Sequence, residues 1–101
     1  MNKDILIKMC LVNISIAKGV SPAEVVHHKY KVAELLDMMD SIEVHRRLDS
    51  DIDVKAQTKV GIVPLSTLQM MAVTELVLFG GNSTYNAVMD VVNRTYELFE
   101  L

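Results

Sequence analysis

Residues 52–63 read Ile52-Asp53-Val54-Lys55-Ala56-Gln57-Thr58-Lys59-Val60-Gly61-Ile62-Val63, and Pro64 follows. Apolar or near-apolar side chains (Ile52, Val54, Ala56, Thr58, Val60, Ile62) alternate with Asp53, Lys55, Gln57, Lys59 and Gly61. A period of two is the pattern of a strand with one buried face, and no helix keeps two such sets apart. It is the only long alternation in a chain whose other apolar residues recur at helical spacing. A lone strand cannot satisfy its own backbone donors and acceptors. The stretch therefore needs a partner strand, and the simplest source is the same strand of a second copy.

The composition points the same way. In 101 residues, half the side chains are hydrophobic, only 5% are aromatic and Trp is absent, so the core must be aliphatic. The length fits a single domain. A positive mean hydropathy of +0.27 is high for so small a soluble chain. Small domains often bury such a surplus by oligomerising. The net charge of −3 speaks against a basic nucleic-acid coat and against electrostatic attachment to a membrane. The single cysteine, Cys10, rules out an internal disulfide and sits among apolar residues, so it is expected in the core. With no signal-peptide pattern at the start and no apolar run of membrane-spanning length, the expected location is the cytoplasm.

Outward from the strand, the first half reads as a pair of helices. Residues 4–18 place Ile5, Met9, Val12 and Ile16 on one side, with Lys18 and Gly19 as a stop. A second helix is announced by Ser21-Pro22-Ala23-Glu24, with a capping Ser, Pro at the first helical position and Glu three residues after the cap. Its stripe runs through Val25, Val32, Leu35, Met39 and Ile42 and should end near Leu48. A helix of that length, from Ser21 to Leu48, is itself a candidate surface for a protein partner.

Beyond Pro64, which cannot donate to a ladder, Ser66 and Gln69 read as another capping box. From Leu68 to Phe79 only Gln69, Thr74 and Glu75 are polar, so that helix should be buried nearly all round. Gly80-Gly81 stops it. Asn82 or Ser83 caps a last helix carrying Tyr85, Val88, Val92, Tyr96 and Phe99 along one stripe.

Few residue clusters suggest chemistry. Asp49, Asp51 and Asp53 have the spacing of the first calcium-loop ligands. Val54 and Val60 stand where that loop needs Gly and Glu, so the three read as a solvated linker. Glu24 and His27 have the Glu-x-x-His spacing of di-iron bundles, which require the motif twice and two further carboxylates. His28 lies on the apolar side of its helix, and His45-Arg46-Arg47 reads as a helix end complementing the dipole. No nucleophile elbow and no glycine-rich phosphate loop is present, so neither an enzyme nor a cofactor is expected.

The order strand, Pro64, helix, Gly80-Gly81-Asn82-Ser83 turn, helix resembles the ribbon-helix-helix DNA-binding family. The residues that carry it are Val63-Pro64-Leu65-Ser66-Thr67-Leu68 and the turn at residues 80–83. The resemblance implies that strands of two subunits pair into an antiparallel ribbon that enters the major groove. Lys55, Gln57 and Lys59 would then touch base edges, and the helix start at Asn82, Ser83 and Thr84 would hold a phosphate. A two-stranded ribbon fits that groove, and free N–H groups at a helix start attract anions. It also implies that the residue before the proline, Val63, faces inward. The alternation instead puts Val60 and Ile62 inside, which needs a bulge at Gly61.

The expected fold is thus mainly α. An N-terminal helical unit (residues 1–50) precedes a strand-helix-helix unit (51–101), forming one compact body that dimerises. Two functions follow. The leading one is a small dimeric transcription regulator binding double-stranded DNA through an intersubunit β-ribbon. The other is a non-enzymatic interaction module, an adaptor or inhibitor of a larger complex, without DNA binding. From residue 52 onward Lys55, Lys59 and Arg94 face Asp53, Glu75, Asp90, Glu97 and Glu100, a balance that favours the second.

Overall fold

The computed structural model describes residues 2–45, 55–58, 61–80 and 84–99, with 43–45, 55–58, 62 and 99 by backbone alone. These residues are mainly helical. Helix α1 spans Lys3–Lys18, a 3-10 segment Pro22–His28 leads into α2 at Lys29–His45, and a hairpin of β1 (Lys55–Thr58) and β2 (Gly61–Pro64) follows. Helix α3 covers Leu65–Glu75, a π turn Leu76–Gly80 extends it, and α4 runs over Tyr85–Phe99.

The ends of α1 are set by local chemistry. Asn2 caps it, its Oδ1 accepting from the Asp4 N–H at 2.7 Å, so the helix starts at Lys3, one residue before the expected 4–18 span. Asp4 in the first turn and Lys18 in the last both complement the dipole. Gly19 stops the helix at φ 72°, with its N–H on the Ile16 carbonyl and the Val20 N–H on that of Ser15. That left-handed position suits glycine. The chain then turns by 120° into the segment starting at Pro22.

The second helix is not continuous from Ser21. The Glu24 carboxylate does accept from the Ser21 N–H at 2.8 Å, as the capping motif requires. The first turns wind as a 3-10 helix, closed by the Glu24 N–H on the Ser21 carbonyl at 3.0 Å. Val25, Val26, His27 and His28 are all mediocre α-helix formers, which lowers the cost of the tighter winding. The expected end near Leu48 lies outside the described residues, as do Arg46, Arg47, Asp49, Asp51 and Asp53.

The long alternating strand is corrected. The chain folds back on itself, pairing Lys55 with Pro64, Ala56 with Val63, Gln57 with Ile62 and Thr58 with Gly61 in antiparallel register. Gly61 sits at φ 116°, which only glycine adopts without strain. The strand thus finds its partner within the same chain, and the argument that its backbone demands a second copy falls. The reversal also resets the pleat. Val63 packs against the core, as the inward position before Pro64 implied.

The core is aliphatic. Leu6, Cys10 and Ile14 of α1 meet Val32, Leu35, Leu36 and Met39 of α2, Leu68, Ala72 and Val73 of α3, and Val88, Val92 and Tyr96 of α4. The Ser66 capping box is also corrected. Helix α3 starts at Leu65 behind Pro64, so Ser66 and Gln69 lie within it, both buried. Gln69 Nε2 instead donates to Asp40 Oδ1 at 3.1 Å. Ahead of α4, Thr84 Oγ1 lies 3.4 Å from the Ala87 N–H, and Asn82 and Ser83 lie outside the described residues.

Candidate interaction surface

Helix α1 is apolar on two opposite sides. The side that carries Ile5, Met9, Val12 and Ile16 is exposed, with Ile5 at 52% and Ile16 at 72%. The core takes Leu6, Ile7, Cys10, Leu11 and Ile14 instead. At 100° per residue those five cover an arc of about 140°, against about 60° for the other four. The broader set removes more apolar area from water and wins the interior. Isoleucine and valine on the losing side are left as a ridge along the surface.

The ridge is fixed against α3. Asn13 Nδ2 donates to Thr74 Oγ1 at 2.7 Å, and Thr74 Oγ1 donates to the Met70 carbonyl at 2.9 Å. Between the helices runs an open groove of about 390 Å³ walled by the ridge, Lys8, Asn13 and Met70. It continues into a depression of about 570 Å³ beside Met71, Leu78 and Phe79. The π turn buries Leu76 and leaves Phe79 82% exposed at the far end. On the other flank, α1 and the 3-10 segment border a third apolar hollow, of about 490 Å³, beside Val12, Pro22 and Val26. One contiguous apolar face thus spans α1 and the outer edge of α3.

Its charges are sparse. Among the described residues Lys8 is the only ionic one of the α1–α3 groove, and Glu75, paired with Arg94 at 2.8 Å, closes the lower depression. Lys3 pairs with Asp40 and lies 3.8 Å from Asp37, tying α1 to α2 away from this face. Cys10 is fully buried beneath it, and burial pushes its thiol up to about 12. His28 packs its ring against His27 with centroids 4.0 Å apart. Among the described residues no group of three or more His, Cys, Asp or Glu side chains converges as a metal site would require.

The residues expected to touch DNA are placed in part. By register, Lys55 and Gln57 share one face of β1, the face opposite Val63. Thr84 stands in a different element, at the start of α4, where its hydroxyl approaches the Ala87 N–H. Lys59, Asn82 and Ser83 lie outside the described residues. The apolar stripe of the second helix lies in the core: Val25, Val32, Leu35, Leu36, Met39 and Ile42 are all buried, which leaves the other sides of that helix for any partner. The surface that sequence reasoning missed is on α1. Its signal was the all-round hydrophobicity of residues 5–16, which marks a helix with two packing faces.

No family model matches the chain, and no curated protein or solved structure matches it. Among the described residues no single helix is long and apolar enough to cross a membrane.

Proposed function

We propose that this chain is a non-enzymatic protein–protein interaction module that docks through the outer face of α1 and the adjoining edge of α3. The exposed ridge of Ile5, Met9, Val12 and Ile16 carries the reading, because a contiguous apolar face rimmed by polar residues is the usual mark of a docking surface. Met70 and Met71 beside it suit such a role, since methionine adapts its shape to a partner. Magnitudes say how much a partner must cover. Fully burying an aliphatic side chain returns about 1.5–3 kcal/mol, and these four are roughly half exposed, so the ridge supplies ~3–6 kcal/mol. Association costs ~4–15 kcal/mol in lost freedom. The ridge alone therefore leaves a surplus of ~2 kcal/mol at best, short of even millimolar affinity, and a partner must reach Met71 and Phe79 as well.

Site-specific photocrosslinking tests this. A photoreactive phenylalanine analogue at Met9 should give a discrete protein adduct in cells, while the same probe at Tyr30, which is 86% exposed and lines none of these hollows, should not. No protein adduct from position 9 would remove the reading.

A second reading is a DNA-binding regulator, favoured by the antiparallel hairpin, a two-stranded ribbon of the kind a major groove admits. It predicts duplex binding that weakens steeply with salt and is lost when Lys55, Gln57 and Lys59 are all replaced by Ala. Fluorescence polarisation on a mixed-sequence duplex decides it.

A further inference from the structure

We infer that the occupant of the α1–α3 face is a second copy of this chain, joined by antiparallel packing of two α1 helices about a two-fold axis. The inference rests on the docking-face reading above and names its partner.

The ridge is symmetric along the helix. Ile5 and Ile16 lie equally far from its midpoint between Cys10 and Leu11, and so do Met9 and Val12. Reversed end to end, the stripe presents the same spacing of the same kinds of side chain. Two copies can therefore meet with Ile5 of each against Ile16 of the other, and Met9 of each against Val12 of the other. A two-fold interface requires this self-complementarity, because the same patch serves both sides. The 4-3-4 spacing of the four residues is also that of a seam between helices.

The surroundings fit a second ridge. Apolar hollows flank the ridge on both sides, one toward Met70 and one toward Val26, so a facing ridge has a groove to enter whichever way the axes cross. At 1.5 Å per residue α1 is about 24 Å long. With α3 an interaxial spacing of about 8–10 Å away and each helix reaching about 5–6 Å beyond its axis, the two-helix strip is about 20 Å wide and covers roughly 500 Å² in projection. A standard interface buries about 800 Å² of accessible area per partner, and accessible area exceeds its projection. A second copy also brings an identical apolar ridge, doubling the surface removed from water relative to a polar partner.

The test is sedimentation equilibrium of the purified chain, beside Val12→Asp and a Tyr30→Asp control, with far-UV circular dichroism on all three. The expected result is a dimer whose dissociation constant rises at least tenfold in Val12→Asp and is unchanged in Tyr30→Asp, with helicity retained throughout. Val12 is 44% exposed, so the fold should tolerate the change. Register is read with Ile5→Cys and Ile16→Cys proteins. Mixed, they should form a disulfide-linked dimer on oxidation. Neither alone should, because in the antiparallel pairing like positions stand about 16 Å apart along the helix.

A wild-type chain that stays monomeric up to about 1 mM, the weak end of measurable affinity, overturns the inference. The docking-face reading then survives if position 9 still crosslinks to a different protein. A dimer unaffected by Val12→Asp overturns the inference, and the docking-face reading then stands or falls with the crosslink at position 9. Cross-linking of Ile5→Cys to itself, with none in the mixture, overturns the antiparallel register.

Discussion

Gln69 Nε2 donates to Asp40 Oδ1 at 3.1 Å, joining α3 to α2 beside a core that is otherwise aliphatic. Lys3 from α1 pairs with the other oxygen of the same carboxylate, so three helices meet at one aspartate. Gln69 is only 1% exposed and its Oε1 has no hydrogen-bond partner among the described residues. The amide is thus half satisfied, and Asp40 is what makes its burial tolerable. Asp40→Ala should cost about 1–3 kcal/mol, because it strands the buried amide completely. Asp40→Asn keeps an acceptor for Gln69 and loses only a partly exposed ion pair, so it should cost less than about 1 kcal/mol. Urea unfolding of the two variants at constant m-value separates these outcomes.

Adjacent positions of α3 should respond oppositely to charge. Val73 is fully buried, whereas Met71 is 36% exposed on the apolar face. An isolated carboxylate at Val73 would lack any partner, so Val73→Asp should cost about 4 kcal/mol or more and leave little folded protein. Met71→Asp should stay within about 1 kcal/mol of wild type in thermal unfolding of the monomer. Equal losses would mean that α3 is enclosed on all sides.

What the sequence made legible divides along physical lines. Helix ends were readable where a single residue fixes the backbone, as Gly19 does at positive φ and Pro22 at a first helical position. The core stripes of α2 and α4 were readable because each has one dominant apolar face, and Val32, Leu35, Val88 and Val92 all lie inside. In α1 two apolar faces competed, and periodicity cannot say which is buried. Arc width decides that, and it favoured Leu6, Ile7 and Cys10 over Ile5 and Met9. The hairpin was hidden because Lys59-Val60-Gly61 lacks the Asn-Gly or Asp-Gly signature of a tight turn. Gly61 alone hinted that the alternation was interrupted. Ser66 and Gln69 had capping spacing, but Pro64 had already begun the helix one residue earlier.

The thiol of Cys10 should be inert in the folded chain. It is fully buried in α1, and desolvation raises its pKa to about 12 even though Lys3 pulls the other way. Only the thiolate reacts readily with a disulfide reagent. At about pH 8 and without denaturant, labelling by such a reagent should therefore be limited by unfolding. Its rate should rise in parallel with the unfolded fraction as urea is added. Fast labelling of the native protein would show that α1 leaves its place often enough to expose the sulfur.

Stability should fall on acidification through His28. Its Nε2 is buried without a hydrogen-bond partner among the described residues, and its pKa is lowered from 6.5 chiefly by desolvation, then by His27 and Lys18. The folded state thus prefers the neutral ring, whereas the unfolded chain binds a proton at the ordinary value. Between the lowered pKa and 6.5 the unfolded state holds more protons, so stability rises with pH across that window. The His28 contribution is complete above 6.5, declines as pH falls below it, and levels off once the folded ring is also protonated. Urea midpoints measured between about pH 5 and pH 8 should show this slope in the wild type. His28→Gln, which cannot titrate, should flatten it. His27→Gln should retain most of it, since His27 perturbs His28 only as the second-largest cause. Parallel slopes in wild type and His28→Gln would assign the acid sensitivity to another group.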